Sequence, residues 1–468
     1  LENINLINDY KYNIEEYIKN VKENYSCQNK NALVITHGCQ MNEHDSEKIS
    51  WLLEKMGYNL VDTIEDADFI LLNTCSVRHS AEDKVYGQLG NLKHLKNQNK
   101  NMKVAVCGCM MQRKESREYV IDKFENVDII FGTNNIFRLP ELIISNYETN
   151  SLAMDIDESM LRTDSDIGTN RLYKFKSYVN IMYGCDNFCT FCIVPYTRGR
   201  ESSREPDDII NEIKNLVKTG TKEVTLLGQN VNSYGKNLDK RINFTDLLYR
   251  INEIDGLERI RFMTSHPKDI SDELINAYKD LDKLCNFLHL PVQSGSTRLL
   301  KLMNRKYTKE DYLKIIDKIK NVNPDIALCT DLMVGFPGEE EEDFLETLDL
   351  VKKVEYDTSF TFIYSKREGT RAAKSKEQIP DNIKHERFER LLDVLYPIQL
   401  KKNTKLIGNI EKVLVEGASK NRSDVLTGRT EGFKTVNFKG NKKDIGNILD
   451  VKIISANTFS LNGDLIES

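Results

Sequence analysis

Long apolar runs are missing from this sequence. No stretch approaches the roughly 20 uninterrupted apolar residues that a membrane span requires. The opening LENINLINDYKYNIEEYIKNVKENY is charged and has no hydrophobic segment of the secretory kind. Both absences predict a soluble, cytoplasmic chain with no membrane partner. Excess positive charge is missing too. With 66 Lys and Arg against 72 Asp and Glu, the net charge is -6 and the pI is near 5.8. That balance excludes a wholly basic nucleic-acid binder and leaves room for a local basic surface. Internal repeats and low-complexity tracts are also absent, so the chain reads as ordinary folded domains.

What the chain does have is cysteine, ten in 468 residues: Cys27, Cys39, Cys75, Cys107, Cys109, Cys185, Cys189, Cys192, Cys285 and Cys329. In a small secreted protein this count would suggest disulfides. In a large chain without an export signal, metal or redox chemistry is the better reading of the clustered ones.

The first thirty residues read as a polar helical extension outside any core. From residue 31 to 149, apolar runs alternate with helix-period segments. NALVITHGC, ADFILLNTC, VAVCGC and VDIIFGT read as strands and SEKISWLLEKMG as a helix. Such alternation predicts a parallel sheet covered by helices. Cys39, Cys75 and Cys109 each fall at the C-terminal end of a strand, the edge where open parallel sheets bind ligands. Residues 150–170 are polar and acidic and read as a linker.

A second strand–helix series fills 171–401, with six βα-like units. That is too few for a closed eight-fold barrel and predicts a partial (β/α)6 barrel whose site lies at its C-terminal strand ends. From 404 to 467, short β runs broken by Gly and Asn predict a small antiparallel β-barrel. The fold class is therefore α/β with a small all-β module at the end.

The spacing in GCDNFCTFC, C-x3-C-x2-C, brings three thiols within eight residues. A tetrahedral zinc site would need a fourth ligand from elsewhere. Three unrelated core cysteines are improbable, since chance yields such a triplet roughly 0.005 times in a chain of this composition. Three irons of a cubane 4Fe–4S cluster accept the trio, leaving the fourth iron open for chemistry.

GCDNFCTFC resembles the cluster loop of the radical S-adenosylmethionine (SAM) enzymes. The longer run IMYGCDNFCTFCIVPYTRGRESSR resembles that of the methylthiotransferases. HGCQMNEHDSE, NTCSVRHSAEDKVYGQLG and VCGCMMQR are similar to the three segments with which that family ligates an auxiliary cluster. The likeness runs from about residue 31 to 467 and leaves the N-terminal extension unmatched. It implies two 4Fe–4S clusters, one on Cys185, Cys189 and Cys192 and one on Cys39, Cys75 and Cys109, with SAM as the other cofactor. All six cysteines would be catalytic. Cys107 occupies a position where the family has another small residue. Two positions along a strand share a face, so Cys107 stays an alternative ligand to Cys109. Cys27, Cys285 and Cys329 have no partners in sequence, and the last two read as core residues.

LMVGFPGE follows an apolar strand, and its Gly335 and Gly338 permit close backbone approach. Alone it is a turn; within the resemblance it matches the SAM-contacting strand. Gln229, Ser265, Gln293 and Gly335 are the candidate SAM contacts. His37, His44, His266 and His289 lie near the same edges and read as structural more readily than catalytic. The terminal module resembles the TRAM domain, an RNA-binding unit. Its candidate contacts are Lys420, Arg422, Arg429, Phe433 and Lys434, since cations track phosphates and aromatics stack bases. Lys439, Lys442 and Lys443 continue the basic pattern. Arg198, Arg200 and Arg204, just past the cluster loop, are further RNA candidates.

The resemblance implies methylthiolation at C2 of N6-isopentenyladenosine, on the 3′ side of the anticodon in tRNA. One SAM would donate a methyl group, a second would yield a 5′-deoxyadenosyl radical, and the auxiliary cluster would supply sulfur. The implied partners are the anticodon stem-loop, a reducing electron donor such as flavodoxin or ferredoxin, and a sulfur donor, acting on a monomer. Alternatives are a methylthiotransferase of threonylcarbamoyladenosine or of a ribosomal-protein aspartate, but GQNVNSYG and RGRESSR favour the isopentenyladenosine branch. An RNA-binding Fe–S sensor without turnover is the rival of another class; the open coordination sites and the glycine turn argue against it.

Overall fold

The computed structural model describes residues 14–25, 30–76, 79–156, 167–239, 241–419 and 422–466. They form two compact units. One runs through Leu172 and takes in Tyr183–Asp186 and Ile193–Glu201; the other holds Tyr173–Met182, Asn187–Cys192 and the described residues from Ser202 onward. Among the described residues, no helix is long and apolar enough to cross a membrane.

The first unit is built on a six-stranded parallel sheet in the order Asn59–Leu60, Asn31–Thr36, Phe69–Thr74, Lys103–Gly108, Ile129–Phe131, Ala153–Asp155. FILLNT at its centre is buried at every position, as a parallel strand covered on both faces must be. Leu71, Ala105 and Phe131 pack on one face with Ile49, Leu52 and Leu53 of the helix Gln40–Lys55. Ile70, Leu72, Val104 and Val106 pack on the other with Val85 and Leu89 of His79–Gln98. The registers Thr36↔Asn73 and Thr74↔Gly108 bring three neighbouring strands to an end side by side.

Two expectations change here. In the helix over 14–24, Val21 is fully buried, and Ile14, Tyr17 and Ile18 pack against the same core. Their spacing is a helical stripe, so this part of the extension contributes to the core rather than standing outside it. The linker at 150–170 is likewise anchored at its ends. Ala153–Asp155 is the edge strand, Ile167 is buried, and Leu172 N donates to Glu47 Oε1 at 3.0 Å. Residues 157–166 lie outside the described residues.

The second unit carries six parallel strands in two hydrogen-bonded trios. They are Arg259–Phe262, Glu223–Leu227, Lys176–Asn180, and Phe287–His289, Ala327–Val334, Thr358–Ile363. An isolated bridge between Ile260 and Leu284 links the trios. This is the six-unit partial barrel expected. Its helices bury one face each, as Pro206–Lys218 does with Ile209, Ile210 and Ile213.

After the long helix Asp381–Thr404, five strands close a small barrel around Val413, Leu426, Val436, Phe438 and Val451. Not every pairing is antiparallel. Thr435–Lys439 and Leu461–Leu465 run parallel, because an odd number of strands cannot alternate direction all the way round a closed ring. Buried Arg259 and Arg261 join this module to the (β/α)6 barrel. Arg259 donates to the carbonyls of Lys412 (2.8 Å) and Arg429 (3.1 Å), and Arg261 to those of Glu431 (2.8 Å) and Thr430 (3.2 Å). Glu223 balances both cations.

Candidate active site

In the first unit, Cys39 caps the helix Gln40–Lys55, Cys75 follows the strand Phe69–Thr74, and Cys109 opens the short helix Cys109–Gln112. The aligned strand ends bring all three to one edge. A polar network fixes that edge. Asn42, fully buried, donates to Asn73 Oδ1 and Thr74 O, both at 3.1 Å. Asn73 donates back to Asn42 O and to Ser46 Oγ, both at 2.9 Å. Thr74 Oγ1 donates to Cys107 O. Gly108, at φ 96°, lets the chain turn from strand to helix; a Cβ there would stand 2.4 Å from Thr74 O. A Cβ on Gly38 would stand 3.0 Å from that of Cys75.

The turn at Gly108 separates Cys107 from Cys109 in local structure. Cys107 is still on the strand and packs in the core with Ala105 and Phe131, whereas Cys109 is already helical. The same-face relation held only for a strand that continued.

Arg198 decides the electrostatics of this edge. Its guanidinium donates to Cys109 Sγ at 3.2 Å and to Asp45 Oδ2 at 2.8 Å, and both charged side chains are 3% exposed. Burial pushes the Cys109 thiol up, with Arg198 opposing. Burial also disfavours the Arg198 cation, but Cys109, Asp45 and Cys39 outweigh it and hold the group well above its ordinary value. Arg198 is therefore not an RNA contact: it is enclosed, and its charge is already engaged. One of its N–H groups, at Nη1, has no hydrogen-bond partner among the described residues. An unpaired buried donor is costly, and an anionic iron–sulfur cluster on Cys39, Cys75 and Cys109 would supply its acceptor. The donor set fits a cluster. Among the described residues no three His, Cys, Asp or Glu side chains close on a single-ion site.

The cysteine loop is divided between the units. Cys185, in the first, is turned back where its backbone N–H donates to Gly199 O at 3.2 Å. Gly184, at φ 69°, leaves only 2.0 Å between a Cβ and Arg200 O. Cys189 and Cys192 belong to the second unit, where Cys192 N donates to Cys189 O at 3.0 Å. Phe191 between them packs edge-on against Phe336, and Asn304 Nδ2 donates to the carbonyls of Asn187 (3.1 Å) and Phe188 (3.0 Å). Arg305 Nη1 donates to Cys189 Sγ at 3.4 Å. Sequence reasoning missed Arg198, Asp45 and Arg305 as cysteine neighbours. The signal present was an arginine six residues beyond Cys192, and it was read as a surface cation.

The four SAM candidates all follow barrel strands. Gln229 lies two residues past Glu223–Leu227, Ser265 three past Arg259–Phe262, Gln293 four past Phe287–His289, and Gly335 one past Ala327–Val334. Strained backbone gathers at the same ends: Thr264 at φ 62° and Gln293 at φ 72° are left-handed without being glycine, the kind of strain that collects at ligand sites. Ser265 Oγ is buried with no partner among the described residues. Gly335 has a different neighbour from the one expected. A Cβ there would stand 2.3 Å from Lys384 Cγ, and one on Gly338 2.7 Å from Glu377 Oε2. What these glycines admit is the chain's own side chains.

Of the histidines, His44 meets Glu47, His37 meets Gln88, and His289 sits between Thr264 N and Asp331. His266 differs. Its Nδ1 accepts from Lys268 N, so the neutral ring carries its proton on Nε2, which has no partner among the described residues. Burial, then the cations Arg305, Lys268 and Lys236, keeps it neutral. Cys285 and Cys329 are core residues, and burial pushes the Cys285 thiol up to about 12.

Most RNA candidates are engaged within the fold. Lys434 is 8% exposed and donates to Asp357 O at 2.9 Å. The Phe433 ring lies against Phe287 (5.0 Å between centroids), with the guanidinium of Arg429 at 4.3 Å from it and that of Arg261 at 5.0 Å. Buried Lys434 is thus already engaged within the fold, while the half-buried Phe433 ring is partly committed to its packing against Phe287. Arg429 also donates to Phe433 O. Arg204 pairs with Glu212 at 2.7 Å, and exposed Arg200 with Asp186 at 2.7 Å. Lys420 and the side chain of Arg422 lie outside the described residues. Lys439, Lys442 and Lys443 are exposed.

Comparison with known proteins gives three family matches: the Radical SAM superfamily over residues 179–351, the Uncharacterized protein family UPF0004 over 31–132, and the TRAM domain over 404–466. The chain is 54% identical over 458 residues to a tRNA-2-methylthio-N(6)-dimethylallyladenosine synthase of Clostridioides difficile (strain 630), covering 97% of this chain and 96% of the relative. It is 52% identical to the protein of that name from Thermoanaerobacter sp. (strain X514), with the same coverage. That reach takes in part of the first thirty residues, which the sequence resemblance had left unmatched. Among solved structures, the radical SAM methyltransferase TsrM from Kitasatospora setae gives a TM-score of 0.51 at 13% identity, covering 71% of this chain and 72% of that one. The cobalamin-dependent SAM radical enzyme OxsB gives 0.53 at 11%, covering 80% and 58%. These two likenesses concern the fold alone.

Proposed function

Because the chain belongs to the family of tRNA-2-methylthio-N(6)-dimethylallyladenosine synthases, we infer that it methylthiolates C2 of N6-isopentenyladenosine in tRNA, at the position 3′ of the anticodon. Its cofactors are two 4Fe–4S clusters and SAM. When bound, these groups supply reductive cleavage of SAM to a 5′-deoxyadenosyl radical, a methyl group and the transferred sulfur. The chain's own residues hold and orient them. We propose that Cys185, Cys189 and Cys192 hold the radical-forming cluster and Cys39, Cys75 and Cys109 the sulfur-bearing one. Gln229, Ser265 and Gln293 line the SAM pocket, where Ser265 Oγ and the Nε2–H of His266 are available to a polar ligand; Gly335, whose open side is taken by Lys384, contributes backbone only. Exposed Lys439, Lys442 and Lys443 meet tRNA phosphates. The working division is an auxiliary-cluster domain over 31–149, a radical SAM core over 171–401 and a TRAM module over 404–467. An electron donor such as flavodoxin or ferredoxin and a sulfur donor complete the cycle, with the chain acting as a monomer.

The observation that carries this reading is the gathering of Cys39, Cys75 and Cys109 at one sheet edge around a buried, partly unsatisfied Arg198. Mass spectrometry of tRNA nucleosides tests it, in cells lacking methylthiotransferase activity with and without this chain. Appearance of the 2-methylthio derivative of isopentenyladenosine is expected. A methylthio derivative of threonylcarbamoyladenosine alone would move the chain to the other branch, and no methylthio nucleoside would overturn the reading.

A further inference from the structure

Each cysteine trio has a buried arginine on one of its sulfurs, and the two arginines are compensated differently. Arg198 donates to Cys109 Sγ and forms a buried ion pair with Asp45 at 2.8 Å. Arg305 donates to Cys189 Sγ, but its other hydrogen bonds go to neutral acceptors: Tyr307 Oη at 2.8 Å and Pro291 O at 2.8 Å. It is 5% exposed and forms no ion pair among the described residues. A cation buried without a carboxylate is expensive, so something in its place has to balance it. The backbone around it is also strained. Asn304 and Lys306, on either side, are left-handed at φ 61° and 63°. For a lysine that conformation is costly and persists only where the surroundings impose it. Three fixed hydrogen bonds and two strained neighbours aim one whole positive charge at Cys189.

We propose that Arg305 and Arg198 are positioning residues that set the reduction potentials of the two clusters apart. Arg305 acts with an uncompensated charge on the cluster held by Cys185, Cys189 and Cys192. Arg198 acts with a charge that Asp45 largely cancels on the cluster held by Cys39, Cys75 and Cys109. The inference rests on that assignment of the trios. Its physical basis is that reduction adds negative charge to a cluster, which a nearby cation and a hydrogen bond to ligand sulfur both favour. A lone charge acts at longer range than an ion pair, whose two fields oppose each other.

The test is a redox titration followed by electron paramagnetic resonance on the anaerobically reconstituted full chain. Each cluster is read alone, in a background where the other trio is replaced by alanine. Arg305→Gln should move the loop-held cluster to more negative potential and leave the other unchanged. Arg305→Lys, which keeps the charge, should move it less. Arg198→Gln alone leaves Asp45 uncompensated and should move the sheet-edge cluster negative, whereas Arg198→Gln combined with Asp45→Asn, which removes the whole pair, should move it far less than Arg305→Gln moves the loop-held cluster. Asp45→Asn, which frees the Arg198 charge, should move the same cluster positive. That reversed sign keeps the test decisive if either Arg→Gln variant fails to fold. Clusters that assemble normally but keep their wild-type potentials in all folded variants would overturn the proposal. An alanine background that assembles no cluster on the remaining trio would instead overturn the assignment of the trios.

Discussion

Cys39, Cys75 and Cys109 come from about seventy residues of sequence, whereas Cys185, Cys189 and Cys192 lie within eight. The first set exists only because three parallel strands end side by side and a network through Asn42, Asn73 and Thr74 fixes their edge. The second set is close by covalent necessity, and packing only shapes the loop, through Gly184, Phe191 and Asn304. A site assembled by the fold inherits the fold's cooperativity, since any break in the sheet disperses its ligands. A site assembled by local sequence tolerates more damage around it. The contrast also separates roles, because the trios serve different parts of the proposed reaction.

The largest effect expected is a complete split between the trios. Cys189→Ala should abolish 5′-deoxyadenosine formation, and Cys75→Ala should retain it while eliminating the methylthio product. Chromatography with mass spectrometry of both products decides this. A folded Cys75→Ala variant that methylthiolates tRNA at the normal rate would break the comparison.

Next in size, Gly108→Val should cost about half of the eight irons expected of two cubanes, although every cysteine is retained. Its side chain has no room beside Thr74 O. Iron and sulfide analysis after reconstitution, with circular dichroism to confirm folding, checks this. Full iron content would mean that the sheet edge is more forgiving than its geometry indicates.

A smaller change is expected at the loop. Phe191→Ala removes a half-buried ring from its place beside Phe336 and should cost about 2 kcal/mol of local packing. The loop-held cluster should then lose iron faster to a chelator, with the other cluster unaffected. Equal loss from both would erase the distinction.

Smallest of all, replacing Lys439, Lys442 and Lys443 with Gln should leave both cluster spectra unchanged. It should flatten the salt dependence of tRNA binding by up to about 0.9 in log–log slope for each phosphate no longer neutralised. A deletion from Thr404 is a poorer probe, because it strips buried Arg259 and Arg261 of their carbonyl partners. An unchanged slope would place the RNA surface elsewhere.

The parallel sheet, the partial barrel and the strand-end placement of Cys39, Cys75 and Cys109 were legible in the sequence because they depend on local periodicity. Alternation of apolar runs with helix-period segments is written residue by residue, and so is the C-x3-C-x2-C spacing. The fate of individual polar side chains was not legible. Arg198 in RGRESSR and Lys434 in GFKTV look like surface cations, yet one closes on Cys109 and Asp45 and the other on Asp357. Nothing within a few residues of either records its partner, since Arg198 and Cys109 are 89 positions apart and Lys434 and Asp357 are 77.

Which elements form and which thiols are available was thus set locally, since backbone propensity and covalent spacing act over a few residues. What the tertiary structure added is that the strand ends at Gly108, so that Cys109 opens a helix and receives a hydrogen bond from Arg198. Tertiary packing alone enclosed Arg198 and Lys434, left Arg305 without a counter-ion among the described residues, and set the half-buried Phe433 against Phe287. Burial and charge pairing depend on which distant segments meet.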